Sequence, residues 1–346
     1  MKVKELKKLV VNATSRYVTR EEAEYFADEI IETDIRKPPH KKFGDDMIAD
    51  LRSWSGKSAN ITKQIDLPAF TQYDFASLGP SLKIKEIHDE LERKANANGI
   101  AMVSIVNSGG MHTMHLWTQG LAKRGLFALG AWNGGPDAVV PHNGTKGLLG
   151  TNPMTYGFPG DKGDIVVDMA TSDIPYFKIV GAKKSDTPLP LGVAVDSSGI
   201  VTTDPSRALD EAGVSNLLPI GGNYKGYNLN YLIEIMTSAL IGTRASSEMS
   251  DKYVEVEHGG FIVAIAINKV TSKEKYDSSV KSLNEEIRSQ KPKAGVESVK
   301  VPGDNNLKKL FDTSEETDIE ISEEYVKVLT DLAAMPVVSN PSSTSA

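Results

Sequence analysis

Three phrases between Gly150 and Tyr227 decide how this chain is read: Gly150-Thr151-Asn152-Pro153, Asp168-Met169-Ala170-Thr171-Ser172 and Gly221-Gly222-Asn223-Tyr224-Lys225-Gly226-Tyr227. Each is small, polar and rich in backbone. The apolar runs between them, Ile165 to Val167 and Leu191 to Val195, read as buried strands, so each phrase is expected on a loop after a strand or just before a helix. Ligands are held in such places. Glycine lets a ligand come close to the backbone, while Thr, Ser and Asn donate to phosphate or carboxamide oxygens without bulk or net charge. A dinucleotide meets these conditions.

The surrounding text reads LLGTNPMTYGFP at 148–159, VVDMATS at 166–172 and KGYNLNYLIEIMTSALIG at 225–242. In this order it resembles the malate/L-lactate dehydrogenase family of the type that lacks a Rossmann domain, a group that includes sulfolactate and ureidoglycolate dehydrogenases and cyclic imino-acid reductases. The resemblance extends from Leu6 to about Leu332. It implies a non-Rossmann α/β fold with a central mixed sheet domain and a helical domain drawn from both termini. In residues, this is a helical and dimerising part at 1–78 with 272–335 and a nicotinamide-binding part at 79–271; beyond it, the small polar run Asn340 to Ala346 reads as a disordered tail, taken as 336–346. The implied activity is an oxidoreductase that uses NADH or NADPH on a small 2-oxo or 2-imino acid. The implied cofactor residues are Thr151, Asn152, Pro153, Asp168, Ala170, Thr171, Ser172, Lys225 and Gly226. Members of the family pair as dimers, and the terminal helices contribute to a neighbour's active site.

The 346 residues are 40% hydrophobic and 25% charged, an ordinary globular composition with material for one large or two modest domains. The net charge of −7 is spread along the chain, which argues against a nucleic-acid surface. A phosphate-bearing ligand must then be met by local cations. Cysteine is absent, so disulfides, thiolate nucleophiles and Cys-ligated zinc are excluded. Lys2, Lys4, Lys7 and Lys8 follow Met1 with no signal-like apolar stretch, and no run of about 18 apolar residues occurs. A cytoplasmic location is expected.

Thr19-Arg-Glu-Glu22 is a capping-box pattern, and Ala23, Phe26, Ala27, Ile30 and Ile31 recur at helical spacing, predicting an amphipathic helix over 20–35. Pro38 and Pro39 close it. In the family this helix leads into text like DLRGVDSHG, whose His is a catalytic candidate and is followed by an Arg and a Tyr that meet the substrate acid. Here Asp34 and Arg36 match, and His40 lies one residue before the expected His, with no matching Arg and Tyr after it. The resemblance makes His40 a catalytic candidate and Arg36 a substrate-binding one. A solvated basic turn is the plainer alternative for His40.

Ile84, Ile87, His88, Leu91 and Ala95 form a helix face closed by Asn98-Gly99, and His88 on that apolar stripe is read as structural. Ile100 to Val106 is a buried strand, followed by the loop Asn107-Ser108-Gly109-Gly110-Met111-His112. The family places NSxHFG here, its His serving as acid/base toward the substrate carbonyl. Counted without a gap, that position is Gly110. Histidine suits the task because it ordinarily titrates near neutrality; a glycine cannot perform it. Either the loop is re-routed at Gly109 and Gly110 so that His112 reaches the same spot, or proton delivery has moved elsewhere. His112 is therefore the second catalytic candidate, with His115 one turn beyond; a backbone-bonded histidine at a helix start is the alternative for both.

Leu116 to Arg124 is expected as a helix and Leu126 to Ala131 as a strand. Some family members carry a Lys near Gly134. Lys146, in the proline- and glycine-rich run ahead of Gly150, is a candidate phosphate or substrate cation, with an exposed loop lysine as the equal alternative. Lys225 precedes a helix whose Leu229, Leu232, Ile233, Met236 and Leu240 are expected on one face, and its charge would add to the free N–H groups of the first turn, the alternative being a lysine that only covers a helix end. Gly259 to Ile267 reads as another buried strand. Residues 273–290 form a charged helix with Val280 and Leu283 expected inward, and Val299 to Asp304 resembles the family's VRVPGE loop near the cofactor. A last helix is expected at about 322–332.

No GxGxxG, P-loop, HExxH or GxSxG occurs, and no His/Asp set stands at metal spacing, so no metal is assigned. Three readings follow. The chain reduces a 2-oxo acid with NADH or NADPH; it reduces a cyclic C=N bond with the same cofactor; or it is a dinucleotide-binding or assembly protein without chemistry.

Overall fold

The structure is a computed structural model that describes residues 1–37, 42–55, 60–111, 113–135, 137–249 and 257–335. The tail at 336–346 lies outside the described residues. The helices begin with α1 (Val3–Thr14), α2 (Arg20–Arg36), α3 (Ile48–Ser53), α4 (Ile84–Asn98) and α5 (His115–Lys123). After them come α6 (Tyr176–Ser185), α7 (Pro205–Ala208), α8 (Tyr224–Thr237) and α9 (Ile267–Val270). The last three are α10 (Lys273–Ser289), α11 (Asp304–Asp312) and α12 (Glu323–Ala334).

Seven strands form one mixed sheet: β1 (Thr62–Leu67), β2 (Phe70–Asp74), β3 (Ile100–Ser108), β4 (Leu126–Trp132), β5 (Met154–Phe158), β6 (Ile165–Met169) and β7 (His258–Ala266). Their order is β1-β2-β3-β7-β4-β5-β6. Only the β2/β3 pair is parallel; β7 runs antiparallel between β3 and β4. The carboxyl ends of β3, β4 and β6 and the amino ends of β5 and β7 therefore share one end of the sheet. The implied division at residue 78 cuts across this sheet, since β1 and β2 lie before it.

Local signals account for several of these elements. Glu22 N–H donates to Thr19 Oγ1 at 3.3 Å and Thr19 N–H to Glu22 Oε2 at 2.8 Å, closing the box that starts α2, worth about 1 kcal/mol. Gly99 ends α4 with φ of 87°, a conformation glycine adopts without Cβ strain. One face of the sheet carries a continuous core in which Leu6, Phe26, Ile30, Leu91, Trp117 and Leu329 meet. Chain ends meet there too: Val3 N–H donates to Thr317 O at 3.1 Å, and Lys2 pairs with Asp318 at 2.6 Å.

Three expectations are corrected. Leu191–Val195 is not a strand: Leu191 is 80% exposed and Gly192 turns at φ of 86°. Pro188 and Pro190 beside that run deny it the N–H groups of a ladder. On α10, Leu283 is 58% exposed and Asn284 is the buried residue, bonded to Asp161 Oδ1 at 2.6 Å. On α8 the apolar residues do not share one buried face. Leu229, Ile233 and Met236 do pack together against Phe261, but Leu232, and Leu240 just past the helix, are exposed, and the inward face also carries Asn230 and Glu234.

Candidate active site

The three polar phrases come together at the shared end of the sheet. Thr171 N–H donates to Thr151 O at 3.0 Å, and Ile220 N–H donates to Thr171 O at 2.8 Å. Asn230 Nδ2 ties the same three together, donating to Gly150 O at 2.9 Å and Thr171 Oγ1 at 3.0 Å. Beneath the loop lies Glu234, 3% exposed, with no ion-pair partner among the described residues. Its Oε2 accepts from Asn152 Nδ2 at 2.7 Å and Ser246 Oγ at 2.9 Å, and its Oε1 accepts from Ser246 N–H at 2.6 Å. Charge-assisted bonds of this kind replace the water the carboxylate has lost.

Asn152, at φ of 41°, and Thr171 therefore build the loops with their side chains: Thr171 Oγ1 donates to Asn152 O at 2.9 Å. Ser172 Oγ likewise donates to Ile174 O at 2.8 Å, and Pro153 O accepts from Trp132 N–H at 3.0 Å. Thr151 and Ala170 are half-buried at the surface of the assembly. Gly134 has a steric origin, since a Cβ there would stand 2.3 Å from Asn152 N. No lysine could occupy that position without moving the loop.

Lys225 stands exposed in the first turn of α8, whose N-cap Asn223 accepts the Lys225 N–H at 2.9 Å. Gly226 lets α8 close on the preceding turn, a Cβ there meeting Ile220 O at 1.9 Å. His142 meets Tyr224 edge-on, ring centres 6.2 Å apart, so the turn bearing exposed Lys146 lies beside the start of α8.

A second feature adjoins these loops. Along the free edge of β6 lies a cavity of about 850 Å³ lined by Arg36, His115, Val167, Asp168, Gly303 and Lys309, among others. Asp168 Oδ2 accepts the Met114 N–H at 2.8 Å and stands 3.3 Å from His115 Nδ1. Arg36 is almost fully buried; its Nε and Nη2 both donate to Glu32 Oε1, at 3.2 and 2.7 Å. Its Nη1 has no hydrogen-bond partner among the described residues. The structure thus joins Arg36 and Asp168 in one cavity, while Lys146 and Lys225 belong to the α8 side. His40 and His112 lie outside the described residues.

His88 is structural, as read from the sequence. Its Nδ1 is 2.8 Å from Tyr25 Oη and its Nε2 3.2 Å from Trp117 O. Burial, followed by the nearby Arg124 charge, pushes its pKa down to about 3. Gly120 on α5 permits this approach, since a Cβ there would be 2.5 Å from Tyr25 Oη. Sequence reasoning missed Glu234 and Ser246; the i, i+4 pair Asn230 and Glu234 on α8 was the available sign.

The malate/L-lactate dehydrogenase family matches residues 1–330. The chain belongs to that family. Malate/(S)-sulfolactate dehydrogenase of Methanothermus fervidus is 28% identical over 327 residues, covering 91% of each chain. A delta(1)-pyrroline-2-carboxylate/delta(1)-piperideine-2-carboxylate reductase of Pseudomonas putida is 40% identical over 161 residues, 46% of this chain and 45% of that protein. Among solved structures, sulfolactate dehydrogenase from Methanocaldococcus jannaschii superposes with a TM-score of 0.79 at 25% identity, covering 96% of both chains. These relatives of the malate/L-lactate dehydrogenase family are dehydrogenases and reductases of small acids, which puts the chain among oxidoreductases. The non-Rossmann α/β expectation and the family resemblance both hold.

Proposed function

We propose that the chain reduces a small 2-oxo acid to a 2-hydroxy acid with NADH or NADPH. The observation that carries this reading is the meeting of the three polar phrases beside a cavity that contains Arg36 and Asp168. The residues fit a dinucleotide. Gly221 and Gly222 have positive φ, and a Cβ on either would find no atom closer than 3.3 Å, so the chain leaves room there for a ligand. Lys225 and the first turn of α8 offer positive charge to phosphate. When bound, the nicotinamide supplies the hydride. Arg36, on the cavity wall, supplies positive charge for the substrate carboxylate, and the loops around Thr151 and Thr171 hold the reacting faces out of water.

A second reading, reduction of a cyclic C=N bond, is favoured by Gly110 in place of the loop histidine and by the 40% identity to the Pseudomonas putida reductase. An iminium is already electrophilic, so a weaker acid suffices. Titrating NADH and NADPH fluorescence, then following oxidation with pyruvate, oxaloacetate, phenylpyruvate and pyrroline-2-carboxylate, separates these readings. Binding without turnover of any of them would instead favour a non-catalytic dinucleotide-binding protein. Lys225→Ala is expected to weaken the cofactor at least tenfold, about 1.4 kcal/mol; an unchanged dissociation constant removes Lys225 from the site.

The outward face of α8 supports a homodimer. Tyr231, Leu232 and Ile235 are exposed there, with Leu240 in the turn that follows, an apolar surface of the kind that proteins cover with a partner. Leu232→Asp is expected to shift the protein from dimer to monomer in sedimentation velocity. A wild-type protein that is monomeric and active contradicts the assignment.

A further inference from the structure

The loop after β3 carries Gly110 where the resemblance calls for a histidine, so the proton for the product oxygen needs another source. The cavity on the free edge of β6 contains one. His115 lies in the first turn of α5 and lines that cavity. Its Nδ1 faces Asp168 Oδ2 at 3.3 Å, and the same carboxylate oxygen holds the start of α5 through the Met114 N–H at 2.8 Å. Ring and helix are therefore oriented by one group. A carboxylate beside Nδ1 fixes the orientation of the ring and leaves Nε2 for a substrate, the arrangement by which an Asp orients a catalytic His.

The cavity also holds an anchor. Arg36 borders it from the end of α2, with two of its nitrogens bonded to Glu32 and its Nη1 buried just behind the wall, bonded to nothing among the described residues. A buried guanidinium nitrogen without an acceptor is costly unless a ligand supplies one. A 2-oxo acid has the matching chemistry: a carboxylate for Arg36 and, one carbon away, the carbonyl oxygen that must be protonated. Asn305, Asn306 and Lys308 complete a polar rim around the same space.

We propose that His115, oriented by Asp168, is the proton donor of this protein, the acid having moved from the loop after β3 into the first turn of α5. The proposal rests on the reductase reading above. In the step, hydride adds to C2, the π pair of the carbonyl goes to oxygen, and that oxygen takes the proton from His115 Nε2. The neutral imidazole regains a proton from solvent through the cavity mouth, so the balance is one hydride and one proton per hydroxy acid formed. Asp168 holds the ring in place throughout the step.

The test combines a variant with a measurement on the wild-type protein. His115→Asn keeps a polar group beside Asp168 but cannot act as an acid. It is expected to bind NADH within about twofold of wild type and to lower kcat on the best 2-oxo acid by about 10²-fold or more. In the wild type, His115 is carbethoxylated with diethyl pyrocarbonate and mapped by peptide mass spectrometry. Oxamate with NADH, but not NADH alone, is expected to slow its modification. Near-normal turnover of the variant overturns the proposal, as does protection that falls on His112 or His40 and spares His115. If the variant does not fold, the protection pattern decides alone. A wild-type protein that does not bind NADH or NADPH at all fails earlier, in the fluorescence titration, and removes the reductase reading together with this proposal.

Discussion

Glu234→Ala is expected to lower the unfolding free energy by about 3 kcal/mol or more, and cofactor affinity with it. The carboxylate accepts from the Asn152 amide, from both the N–H and the hydroxyl of Ser246 and, at 3.4 Å, from the Gly150 N–H. Alanine leaves those donors in a space closed to water, each unmet donor costing about 1–3 kcal/mol when nothing rearranges to meet it. Asn152, held at φ of 41°, then has no reason to keep its backbone angle, and the loop that Thr171 and Asn230 lean on is released. Glu234→Gln is expected to lie between the two, because its amide nitrogen must face one of the donors. Urea midpoints and NADH fluorescence measure both effects. An alanine variant as stable as wild type would show that the clamp is dispensable.

Acidification should destabilise the protein through His88 before the carboxylates contribute. The folded pKa is about 3, set by burial and then by Arg124, against about 6.5 in the unfolded chain. The unfolded state therefore binds the extra proton between these values. The stability it confers is complete above about pH 6.5 and is lost as pH falls toward 3, amounting to about 2 kcal/mol by pH 5. Denaturation midpoints of wild type and His88→Gln at pH 7.5 and pH 5 check this. The variant should start lower, having lost the Tyr25 and Trp117 contacts, yet change less between the two pH values. Parallel slopes would mean that another group carries the proton.

What could be read from the sequence was local. The Thr19 capping box, the Asn98-Gly99 stop and the apolar strand at 100–106 are settled by a few neighbouring residues, and the structure has them where expected. The phrases around Thr151, Thr171 and Lys225 were visible as a family pattern, but not the way their side chains are employed. Asn152 and Thr171 face inward to each other's loops because Asn230 and Glu234 wait on α8, a polar face hidden within an apolar-looking helix. Leu191–Val195 misled because hydrophobicity was read without the flanking prolines. β1, exposed along its length at the sheet edge, has no burial pattern to read. The cavity joining Arg36, Asp168 and Lys309 is assembled from residues far apart in sequence, beyond the reach of any spacing rule.

That last cavity has a temporal consequence. Lys309 Nζ donates to Lys37 O at 2.6 Å across 272 positions of sequence, and the first helix is latched to the strip at 315–319. Closing loops of such length is slow, and a ribosome delivers the amino end first. The guanidinium of Arg36 thus emerges early but gains its surrounding walls only when α11 arrives, so the cavity is not closed until nearly all of the polypeptide has been made.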